Sequence, residues 1–184
     1  MKTVVISQPM YFPWVGLLEQ VRLADVWVHL DDAQFSKGGF FNRVQLKSDK
    51  GTPWLTAPLA ENRLGQLLNE TRFADYDWRR KHLSTLRQIY AKAQYVDEML
   101  ALVAGVLVKE TDSLSALSAL SVEALSEYFG IMPSDFYWSS RMNINDKGSS
   151  RVLRICLALG AERYVIGRGA RDYLDHESFE ASGI

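Results

Sequence analysis

The sequence predicts an α/β protein: a Rossmann-like, mainly parallel sheet with an inserted β-hairpin and further helices. Three observations carry this. Val4-Val5-Ile6 is a short apolar, largely β-branched run that stops at Ser7-Gln8-Pro9, the composition of a buried strand. Trp14, Leu17, Leu18, Val21 and Ala24 then share one helical face, with Glu19, Gln20 and Arg22 opposite. Val26 to Leu30 repeats the strand pattern and ends in Asp31-Asp32. Strand, helix, strand is a crossover, which lays the two strands parallel and adjacent. Their carboxyl ends, Gln8-Pro9 and Asp31-Asp32, then open on one sheet edge, where open α/β sheets bind ligands. The loop after the first strand carries Tyr11, Phe12 and Trp14, and three large rings in a loop call for a purpose.

The remaining elements follow in order. Ser36-Lys37-Gly38-Gly39 reads either as a flap over a ligand or as an ordinary loop with a solvated lysine. Asn42 to Lys47 and Thr52 to Thr56 bracket Ser48-Asp49-Lys50-Gly51, a hairpin signature, and Pro53 makes the second arm an edge strand. Gln66 to Phe73 reads as a short extended piece. From Asp77 the period becomes helical: Trp78, His82, Leu86, Ile89 and Ala93 form one stripe, and Val96 to Leu107 a second. Thr111-Asp112-Ser113 caps a third helix that runs to Tyr128 and ends at Gly130. Phe136 to Ser139 is a strand, Gly148 to Leu159 a helix closed by Gly160, and Tyr164 to Gly167 a strand running into a turn that bears Arg168 and Arg171. No stretch is rich enough in Gly, Ser or Pro to separate two domains, so residues 1–184 are read as one.

Composition narrows the class. At 184 residues a single domain buries roughly 70% of its unfolded surface without metals or disulfides. A net charge of -1 argues against a general nucleic-acid binder, which carries a basic excess. The lone Cys156 cannot staple the chain, and the N-terminus lacks a signal-peptide layout. No apolar run approaches the ~20 residues of a membrane span. The expectation is a cytoplasmic protein.

The run Gln-Pro-x-Tyr-Phe-Pro-Trp-x-Gly (Gln8 to Gly16), then Ala24-Asp25, Asp31-Asp32-x-Gln34-Phe35-x-Lys37, Asn42-Arg43 and Trp54-Leu55-Thr56 resembles the WbqC-like proteins. Trp78 with His82, the Lys147-Gly148-Ser149 turn and Gly167 to Leu174 extend the likeness over nearly the whole chain. Gly38 and Val44 stand where the family pattern has Arg and Asn. Family members also continue past the equivalent of Ile184, so the chain is expected to lack a C-terminal portion. The resemblance implies a role in bacterial O-antigen or related surface-polysaccharide synthesis. A second, weaker likeness is to nucleotidylyltransferase-like Rossmann folds, but Leu17 follows Gly16 and the histidine pair of those enzymes is missing.

Asp31 and Asp32, read as strand residues, point to opposite faces and so do not form a catalytic carboxylate pair; one faces the ligand and the other caps the turn. A buried carboxylate needs a cation or donor, and Lys37 and Arg43 are the nearest in sequence. His29 reads as a core histidine, and His176 carries no role. His82 lies on a core stripe, but the family pattern holds a histidine there, which makes it the candidate general base. The candidate catalytic set is His82, Asp32, Asp31 and Lys37. The candidate substrate-binding set is Gln8, Tyr11, Phe12, Trp14, Gln34, Asn42, Arg43 and Trp54. Lys147-Gly148-Ser149-Ser150-Arg151 is either an anion site at a helix start or a plain cap made by Ser149. Lys147, Gly148, Ser149, Arg151 and Arg168 are the candidate phosphate ligands. The histidines and the cysteine show no metal-ligand spacing, and no nucleophile elbow or P-loop is present.

These residues suit a transferase acting on a nucleotide-linked amino sugar, by N-acyl or aminoacyl transfer. No coenzyme motif is visible, which leaves the acyl donor, the cofactor and an acyl carrier or other protein partner open. The alternatives are a non-catalytic nucleotide-sugar or partner-binding module and a nucleotidylyltransferase with an altered motif.

Overall fold

The computed structural model describes residues 1–61, 63–74, 77–167 and 172–184. The chain divides into two compact units, one of residues 1–8, 14–32 and 126–184 and one of residues 9–13 and 33–125.

The first unit is a parallel α/β layer. Strands β1 (Thr3–Ser7), β2 (Val26–His29), β5 (Asp135–Trp138) and β6 (Arg163–Val165) form a sheet of order β5-β2-β1-β6. Every pair is parallel, with Val4 beside Val26, Val26 beside Asp135 and Thr3 beside Arg163. Helix α1 (Val15–Leu23) makes the β1–β2 crossover and α5 (Gly148–Ala158) stands between β5 and β6. The period of two explains why both faces are apolar. Val4, Ile6, Val26 and Val28 pack in one cluster with Val152, Ile155 and Cys156 of α5 and with Phe179 of α6 (His176–Ala181). Val5, Trp27 and His29, on the alternate positions, are also fully buried. There Trp27 Nε1–H donates to His29 Nδ1 at 3.2 Å, and the His29 ring stacks on Phe136 at 5.5 Å. Asp25, part of the Ala-Asp signature, is structural. Its carboxylate accepts the Thr3 N–H at 2.7 Å, fixing the start of β1.

The second unit is helical around a small hairpin. Strands β3 (Arg43–Gln45) and β4 (Trp54–Thr56) pair antiparallel across a turn in which Ser48 and Gly51 exchange backbone hydrogen bonds at 2.8 and 3.2 Å. Gly51 has φ +113, a conformation only glycine adopts freely. Helices α2 (Trp78–Ile89) and α3 (Val96–Leu107) follow, and α4 (Leu114–Tyr128) contributes its residues to 125. Ser113 Oγ accepts the Ala116 N–H at 3.3 Å, the cap expected for α4. The guanidinium of Arg79 donates to the carbonyls of Leu107, Lys109 and Thr111, satisfying groups the end of α3 leaves open. Residues 66–73, expected extended, instead hold a 3-10 turn at Leu68–Glu70 between isolated bridges Gln34–Leu67 and Leu59–Phe73. The Glu70 carboxylate accepts the Leu67 N–H at 3.1 Å, which favours the turn over a strand. Helix α2 stops at Ile89, so Ala93 lies in the loop beyond it.

Among the described residues no helix is long and apolar enough to cross a membrane.

Candidate functional site

The carboxyl ends of β2 and β5 build a polar constellation in the first unit. Asp31 and Asp32 lie in a turn one residue past Leu30, not in a strand. A turn does not alternate its side chains, so the expectation of opposite faces fails: both carboxylates converge on Ser139, the first residue of a 3-10 turn (Ser139–Arg141) after β5. The Ser139 hydroxyl stands 2.6 Å from Asp32 Oδ1 and 3.2 Å from Asp31 Oδ1. One O–H serves one acceptor at a time, and the shorter contact gives it to Asp32. Asp31, 3% exposed, keeps the Ser140 N–H at 3.0 Å and the Ser140 hydroxyl at 2.7 Å. It thereby ties the end of β2 to the end of β5.

Asp32 is the more open of the two carboxylates. Its Oδ2 accepts from Arg151 Nη2 at 2.5 Å, both side chains being 18% exposed. The cation is therefore Arg151, not the sequence neighbours Lys37 or Arg43. Burial pushes the Asp32 carboxyl up, but hydrogen bonds from Arg151 and Ser139 and the Arg151 charge outweigh it and hold the carboxyl below its usual range. Among the described residues Arg151 Nε is out of solvent and has no partner. A cleft of about 320 Å³ opens beside this pair, lined by Asp32, Ser139, Ser140, Asn143, Asn145, Asp146, Lys147 and Arg151. Its formal charges are two acidic and two basic, balanced, and its other groups are amides and hydroxyls beside the apolar Ile144. Asn143, Asn145 and Asp146 are not among the residues that the sequence nominates; the polar run Asn143 to Lys147 before a helix is the signal that could have found them.

Of the two readings of this helix start, the cap made by Ser149 does not hold. Lys147 holds the cap position with no side-chain hydrogen bond. Ser149 lies inside the first turn, where its Oγ accepts the Asp175 N–H at 2.8 Å, and the Ser150 hydroxyl donates to Asp146 at 3.2 Å. Among the described residues no side chain caps the first N–H groups of α5. Lys147 and Gly148 are exposed at this end. Arg168 and Arg171 lie outside the described residues. Gln8 is half-buried after β1 and Trp14 is 60% exposed. The Trp14 indole lies over Gly16, where an added Cβ would sit 2.1 Å from the ring, which accounts for that glycine. Cys156, fully buried with its thiol pushed up to about 12 by burial, is no nucleophile.

The second unit brings together a different group. Tyr11, 1% exposed, and His82, 5% exposed, meet at 2.9 Å between Tyr11 Oη and His82 Nδ1, while His82 Nε2 lies 3.1 Å from the Thr56 carbonyl. A carbonyl only accepts, so Nε2 carries the proton and Nδ1 accepts from the phenol. Burial lowers the His82 pKa more than the Thr56 contact raises it. Burial pushes the Tyr11 phenol far up against the lowering charge of Arg79. The pair is neutral, and both imidazole nitrogens are committed inside the fold. Phe12 takes φ +46, a strained value for a bulky residue; its N–H donates to Ser121 Oγ at 3.0 Å. Asn42 donates to the Ala57 carbonyl at 2.8 Å across the hairpin. Arg43 donates to the carbonyls of Gly38 and Gly39 and lies 4.0 Å above Trp54. It therefore pins the Gly38-Gly39 turn. Gln34 and Lys37 are exposed.

The model of the WbqC-like protein family matches residues 8–184. An uncharacterized protein of Mycobacterium tuberculosis is 30% identical over the whole of this chain and 80% of its own length. No solved structure matches significantly.

Proposed function

Since the chain belongs to the WbqC-like protein family, we propose that it acts on a nucleotide-linked amino sugar in bacterial surface-polysaccharide synthesis, transferring an acyl or aminoacyl group to the sugar amine. The carrying observation is the cleft beside Asp32 and Arg151. Asp32, Asn143, Asn145 and the two serines suit a ring of hydroxyls, since planar carboxylates and amides grip neighbouring hydroxyls through two atoms. Lys147 and the uncapped N–H groups of α5 suit a phosphate. In the reaction the amine nitrogen forms a bond to the acyl carbon, the bond to the donor's leaving group breaks, and one amine proton is lost. His82, with both nitrogens occupied, is a poor acceptor for that proton, and the base passes to Asp32 or to the leaving group itself.

A specific observation favours a second reading, a binding module without chemistry: Asp32 is held ionised by Arg151, which makes it a weak base. One experiment separates the two. Nucleotide sugars, free sugars and bare nucleotides are titrated into the protein by calorimetry, and the tight binders are incubated with acyl donors and read by mass spectrometry. Binding that Lys147→Ala weakens about tenfold or more, the size of a charge-assisted contact, supports the cleft. Mass gain on the sugar amine makes it an enzyme. No nucleotide-sugar binding, or binding untouched by Lys147→Ala and Asn145→Ala, overturns the reading.

A further inference from the structure

The second unit contains a larger cavity than the polar cleft, about 460 Å³, and its chemistry is the opposite. The walls are Leu46, Leu55, Leu86, Met99 and Val103, with Tyr11 and Phe12 forming one side. Among the described residues no Asp, Glu, Lys, Arg or His lines it, although charged residues make up 23% of the chain. An uncharged, mostly aliphatic wall of this size is larger than packing tolerates in a closed core and falls in the range of small-molecule sites. Two of the three phenols in the wall are turned to other partners, Tyr11 to His82 and Tyr90 to the Lys47 N–H at 3.0 Å, and the third, Tyr95, is exposed. The remaining polar groups are the exposed amides of Gln45 and Gln94. Phe12, the bulky residue held at φ +46, contributes its side to this cavity, and Ser121 clamps its N–H in place. Met99 supplies an unbranched, adaptable surface.

We propose that this cavity binds an unbranched acyl chain, its carbonyl end at Gln45 and Gln94. An unpaired charge among those walls is too costly, so any carboxylate head must stay outside them, at the exposed Gln45 and Gln94. The aliphatic majority of the lining favours a chain over a flat ring system. At roughly 30 Å³ per methylene, about the liquid share of one water molecule, a cavity filled by half to two-thirds accepts about eight to ten carbons. The inference stands apart from the nucleotide-sugar reading, since it concerns a different cavity and needs no transfer step.

Straight-chain fatty acids of increasing length, kept below their micelle concentrations, are titrated into the full chain by calorimetry and by NMR of the Met99 methyl. Equimolar binding is expected, tightening by about fourfold per methylene and levelling near about ten carbons as the cavity fills. Ala93 lies exposed in the lining, so Ala93→Trp blocks the mouth without removing core contacts. It is expected to weaken decanoate at least tenfold with an unchanged melting temperature, and Gln94→Trp gives the same block should Ala93→Trp unfold. Lys147→Ala leaves decanoate binding unchanged, which keeps this result separate from the polar cleft. No binding overturns the inference. So does affinity that climbs without levelling and ignores both tryptophans, and so does a concentration-dependent dimer that Ala93→Trp abolishes, which would assign the cavity to a second copy of the chain.

Discussion

One polar pair in each unit, Asp32–Arg151 and Tyr11–His82, is built on the opposite principle to the other. Asp32 and Arg151 are both charged, are 18% exposed, and border an open cleft. Tyr11 and His82 are both neutral, almost sealed, and surrounded by Phe12, Phe73 and Trp78. A charged pair at a cleft keeps spare donors that a ligand can use. A neutral pair with both protons and both imidazole nitrogens assigned rigidifies a core and offers no donor outward. This contrast favours the first unit for the proposed chemistry, and the aromatic signature around Tyr11 is read as architecture and as the wall of an apolar cavity.

The largest expected effect comes from breaking the charged pair. Arg151→Ala leaves Asp32 with Ser139 alone, an uncompensated charge in a half-buried place, and should cost about 2–3 kcal/mol in urea unfolding. Adding Asp32→Asn should return part of that loss. An Arg151→Ala protein of unchanged stability would mean the pair is a surface contact and the contrast is empty.

The neutral pair should yield less. Tyr11→Phe leaves His82 Nδ1 without a donor and should cost about 1–2 kcal/mol; His82→Phe should cost a similar amount, and a double-mutant cycle should give coupling of about 1 kcal/mol. Additive losses would show that the 2.9 Å contact carries no energy. Neither substitution should alter nucleotide-sugar binding in the first unit.

Acid should separate the pairs without mutation. His82 is depressed from its ordinary value near 6.5, so the unfolded chain binds the proton more readily than the folded one. Its contribution is present above 6.5 and is lost as pH falls below that value through the folded pKa. Asp32 is depressed from 3.8, so its contribution is present above 3.8 and is lost only as pH falls further. A stability profile should therefore decline in two stages. His82→Phe should remove the upper stage alone, and Asp32→Asn should shrink the lower, which the lowered carboxyls of Glu19, Glu162 and Asp175 share. A single stage below pH 4 in the unmutated protein would contradict a buried neutral His82.

What the sequence disclosed and what it hid divide along a physical line. Strand and helix periods are local, so β1, α1, β2, the β3–β4 hairpin and the caps at Ser113 and Gly130 were legible from neighbouring residues. Pairings set by the fold were not. Arg151 is 119 positions from Asp32, and His82 is 71 from Tyr11. Nearness in sequence points to Lys37 and Arg43 for Asp32; Arg43 instead holds the glycine turn beside it and Lys37 is exposed. The turn at Asp31-Asp32 also escaped, because an apolar run gives no sign of the residue at which its alternation stops.

The smallest expected effect tests how far the cleft reaches along α5. Ser149 belongs to the phosphate-binding motif read from sequence, yet its Oγ is occupied by the Asp175 N–H at 2.8 Å, at the cap of α6. This exposed neutral hydrogen bond is worth about 0.5–1 kcal/mol, and Ser149→Ala should cost no more than that. An oxygen already accepting from the backbone keeps one proton to donate, so a modest share in anion binding is still chemically open to it. If the cleft ends at Lys147, Ser149→Ala should leave nucleotide-sugar affinity within about twofold while Lys147→Ala lowers it about tenfold. Equal losses from both substitutions would draw Ser149 into the ligand's shell. They would also move the phosphate from the Lys147 ammonium onto the first turn of α5.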